Sequence, residues 1–129
     1  MHPKSEPMKY RTLPIKSLFE VLNHGAEPER SAALIEILKN RNPLAVEPLL
    51  HDSGKSDTIR NTNRALLLAH IGGDKRYDPA RREFAKKALA EIPPETIPVL
   101  DEFAKKTQND EMIRLARKAI TALAQARND

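Results

Sequence analysis

Ala85-Lys86-Lys87-Ala88-Leu89, followed by Ile92, and Ala116-Arg117-Lys118-Ala119-Ile120, followed by Leu123, are one pattern written twice, 31 residues apart. In each copy two alanines three positions apart stand beside a bulky aliphatic residue, and a basic pair fills the positions between. At about 3.6 residues per turn the alanines and the aliphatic residue share one helix face, and the basic pair lies off it. Small residues on the shared face let a second helix approach closely, and a single unit cannot bury such a stripe alone. The pattern therefore predicts a helical fold built by duplication.

Two further correspondences extend the duplication. Ile59-Arg60, with Ala65-Leu66 and Ala69, maps onto Ile113-Arg114, with Ala119-Ile120 and Leu123, at an offset of 54. Ala33-Leu34 with Ile37 maps onto Ala88-Leu89 with Ile92, and Pro43 onto Pro98, both at 55. The chain thus reads as two related halves, roughly 28–73 and 78–127, each a helix, a short helix and a helix. The one-residue difference between offsets is a length change in the loop before the third helix.

Boundary residues set the ends of these elements. Pro3, Pro7 and Pro14 fall in a segment with little periodicity, and proline removes a donor and pushes its predecessor out of the helical region, so residues 1–16 read as an extended arm. The helical region then spans 17–129. Leu18, Phe19 and Leu22 share a face, and Asn23-His24-Gly25 ends their helix with a left-handed cap. A second helix starts near Pro28 and carries Ala33, Leu34, Ile37 and Leu38. Asn42-Pro43 reads as an N-cap followed by proline at the first helical position, opening a short helix to His51 that Pro48 kinks or restarts. Asp57 caps a longer helix through Ile71, stopped by Gly72-Gly73. Asp78-Pro79 repeats the cap device for a helix with Phe84, Ala85, Ala88, Leu89 and Ile92 inward, broken by Pro93-Pro94. Ile97, Leu100 and Phe103 mark the sixth helix. Asn109 or Asp110 caps the seventh, with Ile113, Ala116, Ala119, Ile120 and Leu123 inward.

Composition agrees. The 129 residues, a length suited to one domain, include 16 Ala and 15 Leu against 3 Val, and alanine and leucine favour helices where strands want β-branched side chains. The fold class is all-α, with about seven helices in antiparallel pairs, arranged as a short α-solenoid or a helical bundle. The absence of cysteine removes disulfides, thiolate metal sites and thiol catalysis, and fits a reducing, cytoplasmic location. No apolar run approaches the roughly 20 residues of a membrane span, and residues 1–7 lack the apolar stretch of a signal peptide.

No constellation for catalysis, cofactor or metal emerges. Gly54-Lys55-Ser56 ends like a phosphate-cradling loop, but Leu49 stands where that motif needs its first glycine, and no strand precedes it. His2, His24, His51 and His70 include no i, i+4 pair of metal ligands. Asp101-Glu102 and Asp110-Glu111 are adjacent in sequence, so on a helix they diverge by about 100° and make no carboxylate dyad. Asp110-Glu111 instead suits a helix N-terminus.

The net charge of +4 resides in one block, because residues 61–90 hold seven Lys/Arg against three acids. In the helix from Pro79, Arg82 and Lys86 share a face with Arg81 and Lys87 flanking, and Arg114, Arg117 and Lys118 follow on the last helix. If the two helices are equivalent, these seven residues line one ridge, either as a solvated face or as a surface that attracts phosphate or acidic protein.

Pro48-Leu49-Leu50 with Asp52, then Ile59-Arg60, Ala65-Leu66 and Ile71-Gly72, resembles the consensus of a HEAT-type helical repeat. Pro98-Val99-Leu100 with Ile113-Arg114-Leu115-Ala116 resembles it again, while Asn63 stands where that family usually has alanine. The resemblance implies a right-handed solenoid, a structural role for Arg60 and Arg114 between repeats, and a non-enzymatic module that docks a protein partner on a curved surface. Some HEAT-like proteins of phycobilisome biogenesis act as chromophore lyases, but no residue set here marks such a site. The alternative reading is a nucleic-acid-binding repeat using Arg81, Arg82, Lys86, Lys87, Arg114, Arg117 and Lys118. With five aromatic residues in the whole chain, that binding would rest on phosphate rather than on stacked bases. Oligomeric state stays open.

Overall fold

The computed structural model describes residues 10–25, 27–51 and 57–128. Among them lie seven helices and no strand: α1 (Ile15–His24), α2 (Glu27–Asn40), α3 (Pro43–His51), α4 (Asp57–Gly73), α5 (Pro79–Ala90), α6 (Thr96–Lys106) and α7 (Asp110–Asn128). The expected sequence of helices is therefore present, with ends close to the proline and glycine boundaries. Asp78 caps α5 as expected, accepting from the Arg81 N–H at 2.8 Å with Pro79 at the first position. Asn42 and Asn109 do the same for α3 and α7, accepting from the N–H groups of Leu44 and Met112 at 3.1 Å each. α3 runs on through Pro48. The expected cap at Asp57 rests on a side chain outside the described ones, and the Gly54-Lys55-Ser56 stretch before it lies outside the described residues.

α4 is the organising helix. Residues 62–69 are buried without interruption, and Leu66, Leu67 and Leu68 are each at most 1 % exposed. Three successive residues on a helix point about 100° apart, so burying all three needs neighbours on every side. α1, α3, α5, α6 and α7 all pack against α4 and supply them. Leu18 and Leu22 come in from α1, Val46 and Leu50 from α3, and Leu89, Leu100 and Leu123 from the second half. Each fully buried leucine stabilises the fold by about 1.5–3 kcal/mol.

The polar residues of α4 inside this core all have partners. The Thr62 hydroxyl donates to the Thr58 carbonyl at 2.7 Å. The Asn63 amide donates to the Leu22 carbonyl of α1 at 3.2 Å and accepts from the Arg30 guanidinium of α2 at 3.3 Å. Arg64 donates to Glu47 of α3 from Nε at 2.8 Å, and its Nη2 lies 2.7 Å from the same carboxylate oxygen. One helix thus fixes the three that precede it through directional bonds, and packs against α1 and α3 as well. An exposed ion pair between Lys39 and Glu111, at 2.9 Å, joins the end of α2 to the start of α7.

Three details differ from the sequence expectation. Gly25 ends α1 with φ at −70°, so its cap is extended rather than left-handed. Glycine is required there for space, since a Cβ would lie 2.7 Å from the Val21 carbonyl oxygen. Phe84, expected to face inward, is 48 % exposed. It lies at the edge of the α5 stripe, where Ala85, Ala88 and Leu89 take the buried positions. Residues 1–9 of the expected arm lie outside the described residues, but the remainder is held against the helices. Tyr10 is 2 % exposed, and the Arg41 guanidinium donates to the carbonyls of Tyr10, Arg11 and Leu13 while pairing with Glu36 at 3.0 Å.

Candidate functional site: a lysine-walled groove between α5 and α7

The duplicated stretches that open the sequence reading meet in space. α5 and α7 pack against each other and both pack against α4. Ala85, Ala88 and Leu89 of one copy and Ala116 and Ala119 of the other are buried, whereas Lys86, Lys87, Arg117 and Lys118 are exposed. Small residues on both helices and on the end of α4 leave a groove of about 650 Å³. Ala69, Leu89, Ala90, Ala122 and Ala126 supply its apolar lining, Lys86 and Lys87 stand on the α5 side, and Lys118 and Thr121 stand on the α7 side.

Gly73 lines this groove beside Lys118. A Cβ at that position would lie 2.3 Å from both Cε and Nζ of Lys118, so the lysine end group occupies the space that a side chain would take. The last carbonyls of a helix carry partial negative charge, which favours a cation at that end. Among the groove residues three lysines face a single acid, Glu83. The groove is therefore cationic at its walls and apolar beneath.

The seven basic residues singled out from the sequence separate into different surroundings. Lys86, Lys87 and Lys118 line the groove. Arg81 pairs with Asp78 at 3.3 Å and lines a different hollow, beside Phe84 and α3. Arg82 is part-buried, with an Nε that has no hydrogen-bond partner. Arg117 pairs with Asp101 of α6 at 2.9 Å. That carboxyl is held below its ordinary range by hydrogen bonds from Lys105 and Arg117. Arg114 is exposed, and among the described residues its side chain makes no hydrogen bond or ion pair. Of the seven residues, three thus line one groove.

At the C-terminal end of α4 a second polar cluster adjoins the lysine. The Arg76 side chain and backbone N–H both donate to Asp74, which holds that carboxyl down to about 2. His70 lies 3.6 Å from Asp74 and packs edge-on against the Tyr77 ring. Burial lowers its pKa below the ordinary histidine value; Asp74 opposes this, and Arg76 and Lys118 add to it. Burial likewise raises that of Tyr77. His24 is exposed near Glu20, while the side chains of His2 and His51 and the Gly54-Lys55-Ser56 stretch lie outside the described residues.

Among the described residues no group of three or more potential ligands is placed to hold a metal ion, and no helix is long and apolar enough to cross a membrane. The sequence named the lysines but missed the apolar lining, because Ala69, Ala90, Ala122 and Ala126 are indistinguishable in sequence from packed alanines. In comparisons with known proteins, no family model, no curated protein and no solved structure matches the chain.

Proposed function

We propose that this chain is a non-enzymatic helical binding module that docks an acidic segment of a partner protein in the groove between α5 and α7. The observation that carries the reading is the pairing of an apolar lining with lysines on both sides. An amphipathic helix laid in a groove uses apolar anchors at i, i+3 and i+4, and carboxylates on its flanks would meet Lys86, Lys87 and Lys118. We also read α2–α3–α4 and α5–α6–α7 as two copies of one HEAT-like unit. Matched burial of Ala33, Leu34 and Ile37 with Ala88, Leu89 and Ile92 supports that reading.

The test is a titration, followed by backbone amide NMR, with a synthetic amphipathic helical peptide of leucine and glutamate. The expected result is shifts confined to α5, α7 and the end of α4, lost in the Lys86→Glu/Lys118→Glu double variant. A random-sequence DNA duplex is the counter-probe. If the duplex binds the same lysines, with affinity falling steeply with salt, and the peptide does not bind, the chain is a nucleic-acid binder and the protein-docking reading fails.

A further inference from the structure

A small hollow of about 230 Å³ reaches the buried ion pair that Glu47 of α3 makes with Arg64 of α4. Phe84, Lys87 and Ala88 of α5, with Glu91 just past its end, form the rest of the lining. Pockets for drug-sized molecules hold about 300–1,000 Å³, so this one suits a molecule of few atoms.

Its charged groups are only partly used. Both Arg64 contacts, from Nε at 2.8 Å and Nη2 at 2.7 Å, go to Oε1 of Glu47. Oε2 of Glu47 and Nη1 of Arg64 make no hydrogen bond among the described residues, and neither is sealed from solvent. Lys87 and Glu91 stand one turn apart, a spacing at which helix charges pair. Both are nevertheless exposed, and neither makes an ion pair among the described residues. A buried ion pair is a poor source of stability, since apolar residues of similar volume often hold a fold as well or better. Beside a hollow, with one donor and one acceptor open, it is equipped to orient a ligand.

The charges select the ligand. Two cations and two anions line the hollow, so a lone anion or a lone cation meets repulsion along with attraction. An uncharged apolar molecule would strip water from four charged groups and replace none of their hydrogen bonds. A molecule with an ammonium and a carboxylate on one carbon answers both signs at once. Its ammonium donates to Glu47 Oε2 and Glu91, and its carboxylate accepts from Arg64 Nη1 and Lys87. The half-exposed Phe84 ring and Ala88 are the apolar wall for a side chain.

We propose that this hollow binds a free α-amino acid with a small aliphatic side chain. Only Lys87 is shared with the α5–α7 groove, and the proposal does not rest on the docking function.

Backbone amide NMR of the full chain, titrated with L-alanine and with L-leucine, tests it. The expected result is a set of saturating shifts at Glu47, Arg64 and Phe84–Glu91, with a millimolar dissociation constant. Propanoate and isocaproate lack the ammonium of the two amino acids, and ethylamine and isoamylamine lack the carboxylate. Each should bind at least about tenfold more weakly than its parent, because one charged contact is lost. Phe84→Ala and Glu91→Gln, both at exposed positions, should each weaken binding severalfold while circular dichroism stays that of the unaltered chain. No saturating shift with either amino acid, shifts confined to the lysines of α7, or equal binding of the one-charge analogues overturns the proposal.

Discussion

At the offset that aligns Ile59-Arg60 with Ile113-Arg114, Asn63-Arg64 of α4 fall onto Arg117-Lys118 of α7. At that sequence offset the two pairs align, and they meet opposite fates. Asn63 and Arg64 are 1 % and 7 % exposed and bonded to α1, α2 and α3, whereas Arg117 and Lys118 are exposed. α4 has neighbours on all sides, and α7 keeps a face for solvent and for the groove. Enclosure, more than residue type, decides whether a polar position becomes a buried connector or stays at the surface.

The largest break in this comparison comes from Arg64. Arg64→Ala leaves Glu47 buried without its cation, a loss expected to cost about 3–5 kcal/mol in urea unfolding. The aligned change Lys118→Ala should stay within about 0.5 kcal/mol, as surface substitutions do. Replacing both members of the pair, Glu47→Leu with Arg64→Met, should destabilise less than Arg64→Ala alone, because no buried charge then lacks a partner. Equal losses for Arg64→Ala and Lys118→Ala would show that enclosure does not distinguish the two helices.

Part of this contrast was legible in the sequence. The helices were, because Asp78-Pro79, Asn42-Pro43 and Asn109 are local devices whose bonds close within three residues. Asn63 stood out only against the consensus that the sequence resembles, and it is the buried link between α1 and α2. The Glu47–Arg64 pair was not legible, since its members are 17 positions apart on different helices and each is an ordinary surface residue by type. Phe84 misled for a related reason. Periodicity assigns a face but not its neighbour, and beside Phe84 the α3 side chains are Leu44 and Ala45, which leave an open hollow. The lysines of the groove were legible as charge. Their convergence was not, because it depends on α5 and α7 packing side by side, 31 residues apart in the chain.

His70 sharpens the comparison at the end of α4, through pH. Its folded pKa lies below its unfolded one, chiefly because burial disfavours the cation. The unfolded chain therefore binds the proton more readily, and stability from this site is full above the unfolded value near 6.5 and declines as pH falls towards the folded value. Asp74, held down to about 2, stays charged throughout that window and does not contribute to the slope. Urea midpoints for the unaltered chain should fall between pH 7.5 and 5.5, and the slope should flatten in His70→Gln. An unchanged slope in the variant would assign the pH dependence to other groups.

The smallest effect is expected where α7 is most exposed. Arg117 pairs with Asp101 at 2.9 Å, but both side chains are open to water, and Lys105 holds the other oxygen of the same carboxylate at 3.0 Å. Removing Arg117 therefore leaves Asp101 paired, and neither group was taken out of water to form the contact. Arg117→Ala should leave the urea midpoint within the scatter of ordinary surface changes, and added salt should erase what difference there is. A double-mutant cycle with Asp101→Ala isolates the pair from the loss of the arginine stem. A coupling that persists at high salt would mean that this edge of α7 is held as firmly as α4. The exposed edge of α7 would then be structural, and the lysines beside it would be part of the frame and not of the proposed docking site.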